Sequence, residues 1–81
     1  MPDEAVYYSL NSVAFPNSND GWIVADWGKL YLTEDGGTIW RDYWDEVGAQ
    51  LTTNDLRDVF FVDENHGWAV GEEGTLLRYV K

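Results

Sequence analysis

Residues 10–33 and residues 56–79 are one stretch written twice, 46 positions apart and without a gap. The first reads LNSVAFPNSNDGWIVADWGKLYLT and the second LRDVFFVDENHGWAVGEEGTLLRY. Nine of the 24 aligned positions are identical: Leu10/Leu56, Val13/Val59, Phe15/Phe61, Asn19/Asn65, Gly21/Gly67, Trp22/Trp68, Val24/Val70, Gly28/Gly74 and Leu30/Leu76. All but Asn19/Asn65 are apolar positions, turn glycines or a tryptophan, the kinds of residue that set local structure. Each copy must therefore build the same unit, and the units must stack. A period of about 40–50 residues suits either four-stranded units around an axis or two-helix repeats.

The local pattern selects strands. Val13-Ala14-Phe15 and Val59-Phe60-Phe61-Val62 are short β-branched and aromatic runs, too short for buried helices. Being apolar at successive positions, they suit an inner strand covered on both faces. Trp22-Ile23-Val24-Ala25 and Trp68-Ala69-Val70 follow a turn glycine. Asp26-Trp27-Gly28 and Glu72-Glu73-Gly74 read as tight hairpin turns. Residues 29–33 and 75–80 read as third strands, and residues 38–44, with Trp40, Tyr43 and Trp44, as a fourth. Each unit is then one four-stranded antiparallel blade of an all-β propeller, with essentially no α-helix.

The second unit reaches Lys81 after its third strand, while residues 5–8 (Ala-Val-Tyr-Tyr) form a further strand-like run. The expected division is one two-blade unit over residues 1–81. Residues 1–9 supply a fourth strand that completes a blade, residues 10–55 are the first blade with its linker, and residues 56–81 are the second blade lacking its own fourth strand. Two blades leave two apolar faces in water, and such faces drive association. Head-to-tail copies close into rings when the rotation fits. The expected partner is therefore the chain itself, a trimer favoured over a tetramer.

Thr33-Glu34-Asp35-Gly36-Gly37-Thr38-Ile39-Trp40 matches the pattern S/T-x-D-x-G-x-T-W, with Ile39 where the pattern has Thr. It resembles the Asp box of bacterial neuraminidase repeats. Together with the run GWAVGEEGTLL over residues 67–77, the chain resembles the Asp-box propellers related to the photosystem II assembly and stability factor. The resemblance implies a seven-bladed ring in full-length relatives, and a structural rather than catalytic use of Thr33, Asp35, Gly37 and Trp40. The physics agrees: Gly36 and Gly37 permit the positive φ of a tight turn, Asp35 can accept from the turn's own N–H groups, and Trp40 can pack beneath it.

Charge and composition exclude several chemistries. A net charge of −10, with Lys29, Arg41, Arg57, Arg78 and Lys81 as the whole basic inventory, repels nucleic acid and anionic membranes. No apolar run is long enough for a membrane span. No basic segment followed by an apolar one opens the chain, so no secretory leader is read. There is no Cys, and His66 is the single His, so neither a thiolate metal site nor a multi-His site is expected, and no cofactor. His66, Asp63 and Glu64 lie in a polar loop whose spacing matches no calcium loop.

Catalysis is not expected, because a nucleophile needs an activating base and none is placed beside one. The expectation is a scaffold or protein-binding module. Its candidate ligand face gathers Asp26, Trp27, Glu72 and Glu73 with the linker of residues 45–55, an acidic surface with one exposed aromatic. A basic protein segment, a cation, or a sugar stacked on Trp27 suits such a surface. The alternative reading is a glycan-binding or sialidase-like fragment, in which Arg57, at the start of an inner strand, meets its copies near a channel.

Overall fold

The tight turns organise the fold. In both Asp26–Gly28 and Glu72–Gly74 two consecutive residues take left-handed conformations: Trp27 at φ 63° with Gly28 at 68°, and Glu73 at φ 59° with Gly74 at 70°. This is the two-residue type I′ arrangement whose twist matches that of paired strands. The computed structural model describes residues 9–81. Among them, β1 (Leu10–Ala14), β2 (Gly21–Ala25), β3 (Leu30–Thr33) and β4 (Arg41–Asp42) form a four-stranded antiparallel sheet, and β5 (Leu56–Asp63), β6 (His66–Gly71) and β7 (Leu76–Val80) a three-stranded one. The repeat is carried into register. Val13 pairs with Ile23 as Val59 pairs with Ala69, and the bulge between Leu10 and Ser12 recurs between Leu56 and Asp58.

The two sheets face each other, and alternation along each strand decides what lies between them. Trp22, Val24, Leu30 and Leu32 of the first sheet meet Leu56, Val59 and Ala69 of the second in one buried cluster that also contains Trp44. Trp22 is its centre, with ring centroids 4.9 Å from Tyr79, 5.1 Å from Tyr43 and 6.2 Å from Phe61. Phe15 and Phe61 sit over Gly21 and Gly67, in the space a side chain there would need.

Two expectations are corrected. The fourth strand is not residues 38–44. Only Arg41–Asp42 pair with β3, after which the chain turns into α1 (Tyr43–Val47), one short helix in an otherwise all-β chain. Asp42 starts that helix, its Oδ1 accepting from the N–H of Trp44 (2.9 Å), and Gly48, left-handed at φ 78°, ends it. The indole of Trp44 then donates to Gly28 O at 2.6 Å.

Second, the inner strands, expected to be covered on both faces, are not, and equivalent residues are unequally buried. Trp22 is 6% exposed whereas Trp68 is half-buried, and Val59 is 8% exposed whereas Val13 is 55% and Phe15 is also exposed. Among the described residues each sheet packs against another sheet on one face only. The second sheet has three strands among the described residues, all within residues 56–81. The strand expected at residues 5–8 lies outside them.

Candidate functional site

The end of the sheets that carries both type I′ turns is stitched together by the linker. Asp55 joins the two: its Oδ1 accepts from Trp27 N–H (2.8 Å), and its carbonyl accepts from Glu72 N–H (3.0 Å). Gln50 Nε2 donates to the carbonyls of Trp27 (2.8 Å) and Thr52 (2.9 Å). Asn11 Nδ2 bridges the sheets, donating to Asp26 Oδ1 (2.9 Å) and Leu56 O (2.7 Å). The backbone under Trp27 is thus held at several points, while the residue is 62% exposed.

The four residues expected on this face are brought to one end, though not as bare charges. Asp26 is engaged by Asn11, and Glu72 forms an ion pair with Arg57 at 2.8 Å. Glu73 is exposed at the tip of its turn. Sequence reasoning missed Asn11, Gln50 and Asp55 as individual residues. Asp55 stands one position before the second repeat, as Ser9 does before the first, and Ser9 O accepts from Asp26 N–H as Asp55 O does from Glu72 N–H. That periodic position was the signal available.

The Asp box lies at the opposite end, beside the β1–β2 connection, with Gly36 N–H donating to Asn19 O at 2.9 Å. Thr33 is fully buried. Its hydroxyl donates to Asp35 Oδ1 (2.8 Å) and accepts from Gly37 N–H (3.1 Å), while Asp35 Oδ1 also accepts from Ile39 N–H (2.9 Å). These donors, Ile39 N–H first and Thr33 second, hold the Asp35 carboxyl below its ordinary pKa. Trp40 packs edge-on to Phe15, centroids 5.9 Å apart, close to Gly37. Arg41 pairs with Glu34 and Glu46, each at 2.6 Å.

At the β5–β6 turn, His66 Nδ1 lies 2.8 Å from Asp63 Oδ1, which also accepts from Asn65 N–H. The His66 contact, then the Asn65 N–H, lower the Asp63 pKa. The first repeat has the same device in other residues: Asn17 Oδ1 accepts from Asn19 and Asp20 N–H, and Asn17 Nδ2 donates to Asp20 Oδ2. Among the described residues no cluster of three or more His, Cys, Asp or Glu is placed to hold a metal. No helix among them is long and apolar enough to cross a membrane.

Residues 1–80 match the family described as photosynthesis system II assembly factor YCF48. The photosystem II assembly protein Ycf48 of Synechococcus sp. (strain JA-3-3Ab) is 30% identical over 82 aligned residues, covering 98% of this chain and 23% of the relative. The chloroplastic photosystem II stability/assembly factor HCF136 of Arabidopsis thaliana is 30% identical over 80 residues, covering 99% of this chain and 19% of its own length. A solved structure described as YCF48 bound to D1 peptide superposes with a TM-score of 0.80 at 25% identity, covering 93% of this chain and 23% of that one. YCF48 from Cyanidioschyzon merolae superposes with a TM-score of 0.77 at 26% identity, covering 90% and 22%. The chain spans about a fifth to a quarter of the length of the relatives it matches. Its repeated antiparallel sheets, its Asp box and the match over residues 1–80 agree: the chain belongs to the photosynthesis system II assembly factor YCF48 family of BNR-repeat β-propellers.

Proposed function

We propose that this chain is a non-catalytic propeller module that binds a protein segment at the end carrying Asp26, Trp27, Glu72 and Glu73. The observation that carries the reading is Trp27: a large aromatic, mostly in solvent, on a backbone anchored by Asp55 and Gln50. A rigid exposed aromatic costs little entropy to bind with, and such residues dominate protein interfaces. The acidic groups around it favour a basic or amine-bearing segment. A neighbour in fold is described as bound to D1 peptide, so a D1 peptide is a fitting first probe.

The same reading includes assembly. The unit over residues 1–81, with blade one and its linker at residues 10–55 and blade two at residues 56–81, would close its ring with further copies, a trimer before a tetramer. Residues 1–9 would supply a strand to the open edge of β7.

Fluorescence anisotropy with labelled D1 peptides tests the binding reading. Trp27→Ala should weaken binding about tenfold or more with an unchanged melting temperature. Equal binding by wild type and Trp27→Ala would remove this face from consideration. The exposed Trp27 also suits stacking on a sugar, the second reading, and a glycan array separates it from peptide binding. Glycosidase turnover lost in Arg57→Ala would favour the sialidase-like alternative.

A further inference from the structure

Two peptide bonds join an aspartate to a glycine, Asp20–Gly21 and Asp35–Gly36. Such a bond is the one most open to attack by the backbone on the side chain, because without a Cβ the glycine leaves its nitrogen free to approach the aspartate Cγ. The fold brings the two bonds to the same end of the first sheet: Asn19 O, next to Asp20, accepts from Gly36 N–H at 2.9 Å. Their surroundings differ. Gly21 is buried at the start of β2, in register with Thr33. Asp35 and Gly36 are both exposed, outside the strands, with Gly36 left-handed at φ 75°.

Water therefore reaches Asp35, and what restrains its carboxyl is the turn's own hydrogen bonding. Both reacting groups are tied. Asp35 Oδ1 accepts from Thr33 Oγ1 (2.8 Å) and from Ile39 N–H (2.9 Å), while the nitrogen that would attack has its N–H committed to Asn19 O. We infer that Asp35–Gly36 is a latent isoaspartate site, held shut by the Asp-box bonds from Thr33 and Ile39 and by the Gly36 bond to Asn19. Ring closure needs the nitrogen within about 3–3.5 Å of the carbon it attacks. When the bonds open, Gly36 N bonds to Asp35 Cγ, and the nitrogen's proton leaves with the carboxyl hydroxyl as water. The five-membered succinimide then takes up a water. Opening at the former main-chain carbonyl routes the chain through Cβ and Cγ and leaves the α-carboxylate as the side group. Nothing is oxidised or reduced and the mass is unchanged. The product carries an extra main-chain carbon in the turn, so the box cannot re-form. The lowered Asp35 pKa acts in the same direction, since an ionised carboxylate is a poor electrophile.

Asp20–Gly21 is the internal control. Trypsin separates the two sites, into peptides 1–29 and 30–41, and chromatography with electron-transfer fragmentation distinguishes isoaspartate from aspartate in each. After incubation at neutral pH the folded chain should show isoaspartate at neither position, and the chain in urea should show it at both. Thr33→Val keeps the buried shape and removes the hydroxyl. It should raise the rate at residue 35 by about tenfold or more while residue 20 stays silent. Ile39→Pro removes one N–H from an exposed residue, and it serves if circular dichroism shows that Thr33→Val has lost its fold. Rates that rise together at 20 and 35 in a folded variant would mean general opening and would overturn a restraint specific to the box. A folded variant as silent at residue 35 as the wild type would overturn it too. So would a folded wild type that isomerises at residue 35 as fast as the chain in urea, or a chain in urea that does not isomerise there.

Discussion

Ser12 Oγ donates to Asp58 Oδ1 across 2.8 Å, and the two residues are the same position of consecutive repeats. Asp58 Oδ1 also accepts from Val59 N–H at 2.9 Å. The inner strands β1 and β5 thus meet at equivalent points, as units turned about a common axis must. The bond is exposed, so its net contribution is about 0.5–1 kcal/mol. A double-mutant cycle of Ser12→Ala and Asp58→Ala, read by urea denaturation, should give a coupling of that size. Strictly additive losses would mean that the two do not interact in solution.

Gly28 and Gly74 occupy equivalent left-handed positions in different surroundings. A side chain at Gly28 would run into the backbone of Thr52, whereas nothing lies within 4 Å of one at Gly74. Gly74→Ala should therefore cost only the left-handed penalty, about 1–2 kcal/mol. Gly28→Ala should cost clearly more, because the linker must move and with it the Trp44 bond to Gly28 O. Equal melting temperatures for the two variants would show that the linker does not rest on Gly28.

The same comparison applies to the tryptophans. Trp22→Ala should destabilise by about 3–5 kcal/mol, the range for removing a buried aromatic. Trp68→Ala should cost about 1–2 kcal/mol at concentrations where the chain is monomeric, in proportion to its partial burial. A greater loss at Trp68 than at Trp22 in dilute solution would contradict the burial order.

Acid should act first through the carboxylates that accept N–H bonds. Asp35 and Asp63 both have folded pKa values below their ordinary ones. A depressed carboxylate contributes stability above the unfolded pKa, about 3.9, and loses it as pH falls through the folded value. Stability should therefore drop as pH falls below about 4, and Asp35→Asn should flatten that limb of the profile. Identical pH profiles for wild type and Asp35→Asn would show that Asp35 does not titrate with folding.

Strand content was legible because strand signals are local. Short β-branched and aromatic runs, turn glycines and a gapless 46-residue repeat placed the inner, second and third strands and both type I′ turns. The Asp-box turn was legible for the same reason, since the bonds among Thr33, Asp35, Gly37 and Ile39 span no more than four residues.

What escaped is what depends on distant neighbours. Residues 38–44 have strand-like aromatics, yet Asp42 caps a helix there because Trp44 finds its acceptor, Gly28 O, sixteen residues back. Asp26 and Glu72 looked like free charges until Asn11 and Arg57, each fifteen residues away, were folded against them. Trp22 and Trp68 occupy the same position of the repeat, yet the stacking of one sheet on the other made the first a core residue and left the second half in solvent. The sequence by itself determined the unit, because backbone propensity and side-chain alternation are properties of adjacent residues. The tertiary structure decided which face of each unit is buried, because burial depends on what is packed against that face.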